Sequence, residues 1–247
     1  MLFDLAILFF SALFAGLLVF LVPKISSLAF KLTLVFAGAY LFSITIIHLL
    51  PEIFTASKHP STIGFYILLG FFVQIILAQL TSGVEHGHIH EHSPDGHTHS
   101  FSAATLLIAL CFHAFMEGAL LAHPSGHVHQ HDTESLLLGI VLHKMPAAFA
   151  LMSVLRSHFS STRKAVVYLI IFAFASPLGS MVSSQFHDLS LISDDAFLII
   201  YALVCGNFLH ISTTIFFESS PEHRFHFKRL LVSLAGAFVA VIAEFLM

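Results

Sequence analysis

The chain has 247 residues, of which 57% are hydrophobic and only 10% charged, and its mean hydropathy is +0.92. A water-soluble domain of this length would lack the polar side chains to cover itself, so the composition excludes one and assigns most of the surface to lipid. The net charge of -4 comes with scattered basic residues, which offer nucleic acid no binding face. Cys111 and Cys205 each stand alone in an apolar run, which indicates neither a disulfide framework nor a thiolate cluster.

In chain order, apolar runs long enough to span a bilayer are predicted at Leu5 to Val22, Leu32 to Leu50, Ile63 to Leu80, Phe101 to Ala122, Ser135 to Leu155, Ala165 to Phe186, Ala196 to Phe217 and Leu230 to Met247. Each approaches the roughly 20 residues that a helix needs to cross the hydrocarbon core. Irregular backbone cannot face lipid, so the expected fold is all-α: eight transmembrane helices in a single domain over 1–247. The start, MLFDLAILFF, has no basic stretch and no small-residue cleavage site, and reads as a retained first helix.

Basic residues are retained on the cytoplasmic side. Lys24 and Lys31 lie between spans one and two, Arg156, Arg163 and Lys164 between five and six, and Arg224, Lys228 and Arg229 between seven and eight. The opposite loops carry Lys58 alone, so both termini are expected outside the cytoplasm, in a cell or inner membrane. The connection between spans three and four, 84–100, is then cytoplasmic. It contains His86, His88, His90, His92, His97 and His99 among Gly, Ser and Pro. Such a low-complexity tract presents many imidazole nitrogens without a fixed cage, which suits capture, buffering or sensing of a metal. A second group, His123, His127, His129 and His131 beside Asp132, falls on the outer side between spans four and five; it reads equally well as a metal collector or as a solvated loop.

An ionisable residue inside a span costs about 2.5 to 3.5 kcal/mol on insertion scales and is a functional candidate by default. Span four carries His113 and Glu117, four apart and so on one helix face. Span five carries His143 and Lys144, with Pro146 freeing a backbone carbonyl nearby. Counted inward from Ala122 and Ser135, His113 and His143 lie roughly 13 and 12 Å deep at 1.5 Å per residue, and Glu117 about 7 Å deep. Two imidazoles at nearly one level, with a carboxylate above them toward the outside, form a zinc-type ligand set with a position left for water. Taken singly, each of these side chains is as well explained by an interhelical hydrogen bond, or for Glu117 by an ion pair with Lys144. His48 with Glu52 near the outer end of span two, and His210 with Glu218 toward the inner end of span seven, extend the polar residues into a candidate path.

HLLPE from His48 to Glu52, HAFMEG from His113 to Gly118 and HKMP from His143 to Pro146, with eight spans and a His-rich loop after the third, resemble the ZIP (Zrt/Irt-like) divalent metal transporters. The resemblance implies a 3+2+3 bundle in which the first three helices are related to the last three by an inverted repeat around spans four and five. GAYLFSITII from Gly38 and GNFLHISTTI from Gly206 are similar to each other in a way that fits such a repeat. It also implies import of zinc, iron, manganese or a related ion such as cadmium, with His113, Glu117 and His143 as the first metal site. The chain departs from the family pattern at Ala114, where Asn is usual, at Lys144, where an acidic residue is usual, and at Ala147, where Glu is usual. A one-metal variant is therefore expected, with Lys144 in the region of the second cation and balanced by Glu117.

The expected function is transmembrane import of a divalent transition metal, Zn2+ favoured over Fe2+, Mn2+ or Cd2+, as the transported ion and not a cofactor. The alternative is a non-transporting metal sensor or scaffold on the same fold. A diffusion-facilitator efflux protein should carry a soluble C-terminal domain, and an intramembrane metalloprotease should carry HExxH, which does not occur, so no enzyme is expected. The expected partners are the lipid bilayer and divalent metal ions, with a homodimer left open.

Overall fold

The computed structural model describes residues 2–22, 26–81, 103–121, 130–189, 191–218 and 227–246. Every regular element among them is helical, and eight helices are long and apolar enough to cross a membrane. They are α1 (Leu2–Leu17, closed by the 3-10 turn Leu18–Phe20), α2 (Ser27–Ile44), α3 (Pro60–Thr81), α4 (Ala103–Leu120), α5 (Gln130–His158), α6 (Thr162–Asp188), α7 (Asp194–Glu218) and α8 (Phe227–Leu246). The loop histidines His86, His88, His90, His92, His97 and His99 lie outside the described residues, as do His123, His127, His129, Lys24 and Arg224, and the side chains of His131 and Glu218.

Apart from α4, which lies within its stretch, the helices overrun the apolar stretches that mark them at one end or both, because hydrophobicity locates the hydrocarbon slab while hydrogen bonding carries the helix on into the polar zone. The largest overrun is in α2, which continues through a π-helical turn, Thr45–Leu49, into Leu50–Ala56. Pro51 has no N–H to give the carbonyl one turn back, and a π turn is one way for a helix to absorb such a gap. Local chemistry sets several ends. Ser26 accepts the Ala29 N–H at the start of α2 at 3.1 Å, and Ser193 accepts that of Ala196 at the start of α7 at 3.2 Å.

The main helix pairs are α3 with α7, α4 with α6, α2 with α8, and α1 with α5 and α6, while α2 also meets α5 and α7. In lipid, close packing of small residues replaces the hydrophobic drive for helix association. Accordingly, a Cβ on Gly70 would overlap the Leu203 carbonyl, one on Gly206 the Ile67 carbonyl, and one on Gly236 the Phe36 carbonyl. Between α4 and α6 the contact is reciprocal: Gly118 faces the Ser176 carbonyl and Gly179 the Phe115 carbonyl. The interior is filled by Tyr40, Phe172, Tyr201 and Phe208, whereas Phe10, Phe65, Phe72, Phe174 and Phe238 are exposed on the outside of the bundle. That outward apolar surface is what a bilayer covers.

Candidate metal centre

Two adjacent helices build the centre. On α4, His113 and Glu117 are four residues apart, so both point to one side, with the His113 Nε2 atom 3.0 Å from Glu117 Oε1. On α5, His143 projects toward them, its Nε2 3.9 Å from the same carboxylate oxygen. The two imidazole rings meet edge to face with centroids 5.8 Å apart. All three side chains are buried, at 4%, 1% and 1% exposure for His113, Glu117 and His143. One ligand atom from each lies within 4.8 Å of the others, and this is the only group of three or more such ligands among the described residues.

The chemistry of the set follows from these numbers. Two ligands on a tetrahedral zinc ion stand about 3.4 Å apart, given Zn–N and Zn–O bonds of about 2.0 to 2.2 Å; the measured separations of 3.0 and 3.9 Å bracket that value. Both ring nitrogens of His143 are buried and make no hydrogen bond among the described residues. An imidazole left so in the middle of a bundle costs free energy unless something takes its lone pair. A dication offsets that cost and also balances the buried Glu117 carboxylate. Three protein ligands leave a fourth position for water, as an open site requires.

Lys144 has a hydrogen-bond partner that its sequence neighbours do not reveal. It is buried beside His143, and while the Glu117 charge acts on it, its hydrogen bond goes to α6. Its Nζ donates to Ser176 Oγ on α6 at 2.6 Å and lies 5.2 Å from the centre of the Phe172 ring, while Ser176 Oγ donates to the Ala114 carbonyl on α4 at 2.7 Å. α6 packs directly against α4 and presents Ser176 over the residue next to His113. Lys144, Ser176 and Ala114 thus tie three helices together at the level of the centre.

The remaining path residues stand apart from this group. His210 on α7 packs edge to face on Phe71 of α3 with centroids 5.1 Å apart, and its Nε2 is 3.4 Å from Thr214 Oγ1. Glu218 ends α7. His48, in the π turn, contacts Glu244 of α8 and Glu52 of α2. Sequence reading passed over Glu244 and Ser176. Glu244 carried a usable signal as the one acidic residue in the eighth apolar run; Ser176, one of several serines in α6, carried none.

Comparison with known proteins gives the family. The family described as "ZIP Zinc transporter" matches residues 79–244, more than half of the chain and inclusive of the whole centre. "Zinc transporter ZIP9" of Xenopus tropicalis is 26% identical over 174 residues, covering 66% of this chain and 55% of that protein. The protein of the same description from Micropogonias undulatus is 28% identical over 156 residues, covering 61% and 49%. The chain therefore spans about half the length of the curated relatives it matches. With eight helices among the described residues long and apolar enough to cross a membrane, and a family match that runs from the end of α3 to α8, this is an integral multi-pass membrane protein, and the chain belongs to the ZIP family.

Proposed function

We infer that the chain carries a divalent transition metal across the membrane, zinc by preference and toward the cytoplasm, through a site made by His113, Glu117 and His143. The observation that carries this reading is the buried His143 ring, whose nitrogens have no hydrogen-bond partner among the described residues while they face a carboxylate and a second imidazole. A hydrated ion crosses lipid poorly, and three ligands offset lost hydration while remaining few enough to release it. The 3+2+3 inverted repeat belongs to the same proposal. Exchanging α1 with α6, α2 with α7, α3 with α8 and α4 with α5 maps the α3–α7 pair onto α8–α2 and the α4–α6 pair onto α5–α1, and leaves the fifth main pair, α1–α6, unchanged. Gly70 on the Leu203 carbonyl has its counterpart in Gly236 on the Phe36 carbonyl.

The test of function is uptake of Zn2+ into proteoliposomes with binding measured in parallel. Uptake that follows binding supports transport; binding without flux favours the sensor or scaffold. Direction follows from topology. Arg156, Arg163, Lys164, Lys228 and Arg229 gather at the ends of α5, α6 and α8 opposite both termini. Cysteines introduced at Ser160 and Ser93 are expected to react only from the cytoplasmic side and one at Ser61 only from outside. Labelling of Ser160 from outside in intact cells would reverse the orientation.

A single metal at the α4–α5 centre is part of the reading, because Lys144 supplies a fixed charge beside it and Ala114 and Ala147 add no ligand. Lys144→Asp combined with Ala147→Glu is expected to raise bound Zn2+ by one equivalent over the parent, counted by equilibrium dialysis with the loop histidines replaced by serine. An unchanged count would mean that Lys144 is not what keeps a second ion out.

A further inference from the structure

A second polar array lies near the end of the bundle that carries both termini, and the transport reading makes no use of it. His48 on α2 has a carboxylate at each ring nitrogen. Its Nδ1 is 2.9 Å from Glu244 Oε1 on α8, and its Nε2 is 3.6 Å from Glu52 Oε2, one turn along α2. Both carboxylates are held from behind. Ser135 Oγ on α5 donates to Glu244 Oε2 at 3.2 Å, the Tyr40 hydroxyl donates to the Ser135 carbonyl at 2.8 Å, and the Tyr201 hydroxyl on α7 donates to Glu52 Oε2. The side chains of His48, Glu52 and Glu244 are 11%, 19% and 12% exposed, so the array is ordered without being sealed.

The two contacts differ in kind. At 2.9 Å, Nδ1 donates a hydrogen bond to Glu244, which in the neutral ring fixes the tautomer and leaves the lone pair on Nε2. At 3.6 Å, Nε2 and Glu52 Oε2 are too far apart for a good hydrogen bond; they pair as ions when the ring carries both protons, and with a neutral ring two lone pairs face a gap that a cation can fill. That spacing is within a few tenths of an ångström of the roughly 3.4 Å between two ligands on a tetrahedral zinc ion. A carboxylate that orients the far side of a metal-binding imidazole is the usual outer-shell arrangement of histidine sites. Backbone geometry points the same way, since His48 sits in a π turn, a feature frequent at functional sites.

The geometry points to a second divalent transition-metal site, with His48 Nε2 and Glu52 Oε2 as ligands and Glu244 as the positioning residue that holds the ring. With only two protein ligands, water completes the shell, which suits an ion that is loaded and passed on. The site joins α2 to α8 and lies apart from the His113, Glu117 and His143 group, so it stands or falls independently of the transport site.

The test uses the full-length chain in lipid nanodiscs, with the histidines from His86 to His131 outside α4 replaced by serine, and counts bound Zn2+ by equilibrium dialysis. Two equivalents are expected. His48→Gln and Glu52→Gln should each remove one, and His143→Ala should remove the other. Glu244→Ala should leave the count at saturation unchanged while weakening the second equivalent by about 10- to 100-fold, the usual effect of losing an outer-shell partner. Size-exclusion profiles matching the parent would exclude misfolding, and agreement between His48→Gln and Glu52→Gln guards against a defect peculiar to one substitution. If the parent holds one equivalent that only His143→Ala removes, a proton rather than a metal bridges His48 and its carboxylates, and the proposal is overturned. If the parent holds one equivalent that only His48→Gln removes, this site stands and the transport site falls.

Discussion

His143→Ala is expected to cut Zn2+ uptake by more than about tenfold while leaving the amount of folded protein in the membrane unchanged. The reasoning starts from burial. The imidazole makes no hydrogen bond among the described residues, so its removal breaks no polar contact that the bundle depends on. What disappears is one of three ligands to an ion that must shed water to cross, and losing even an outer-shell partner weakens metal sites by about 10- to 100-fold. His113→Ala and Glu117→Ala should act alike, with one difference. Without Glu117 the centre also loses its only carboxylate, so the dication faces two neutral imidazoles and its charge is left uncompensated. A purely structural role for these residues makes the opposite forecast: lower thermal stability without metal, and the same rise in Tm when Zn2+ is added. A ligand role requires that Zn2+ raise the Tm of the parent by more than that of the variants, because each ion bound to the folded state stabilises it, by about 2.7 kcal/mol at 100 times Kd. Normal uptake by any two of the three variants would eliminate the site.

The parts of this centre differ in how far they could be read without coordinates. His113 and Glu117 were legible because a helix turns a spacing of four into a shared face, which is local geometry. The level of His143 was legible because the rise per residue turns position in a span into depth, and the two rings do meet at 5.8 Å. The partner of Lys144 was not legible. Glu117 was the better candidate by charge, yet the outcome was set by α6, a helix whose place beside α4 no property of Lys144 reveals. The same holds for His48 and Glu244. Each stands out singly as an ionisable group in an apolar run, but they are 196 residues apart and become partners only through the packing of α2 on α8. Spans and same-face relations were written in the chain; pairings between helices depended on where small residues let backbones touch.

Those touching points give the largest expected effect on the fold. Gly118 follows Glu117 on α4, and a Cβ there would run into the Ser176 carbonyl, its carbon and its Cα on α6. The obstacle is backbone, so no rotamer change relieves it, and α6 must move away from α4. Gly179 meets α4 from the other side of the same contact, so the two helices have no slack to share. Overpacking a dense interior costs about 1 to 3 kcal/mol when side chains can yield, and a backbone clash belongs at or above the top of that range. Gly118→Ala is therefore expected to lower the Tm sharply and to reduce the yield of folded protein. Gly64→Ala on α3, where nothing lies within 4 Å of the added carbon, should be neutral or slightly stabilising, since alanine is favoured over glycine in a helix by about 0.5 to 1 kcal/mol. Whatever Gly118→Ala protein survives should also lose metal affinity, because displacing α6 draws Ser176 away from Lys144 and frees that side chain beside the centre. A Gly118→Ala chain with the parent's Tm and affinity would show that α4 and α6 are not in backbone contact, and with that the placement of Ser176 over the metal centre would fail.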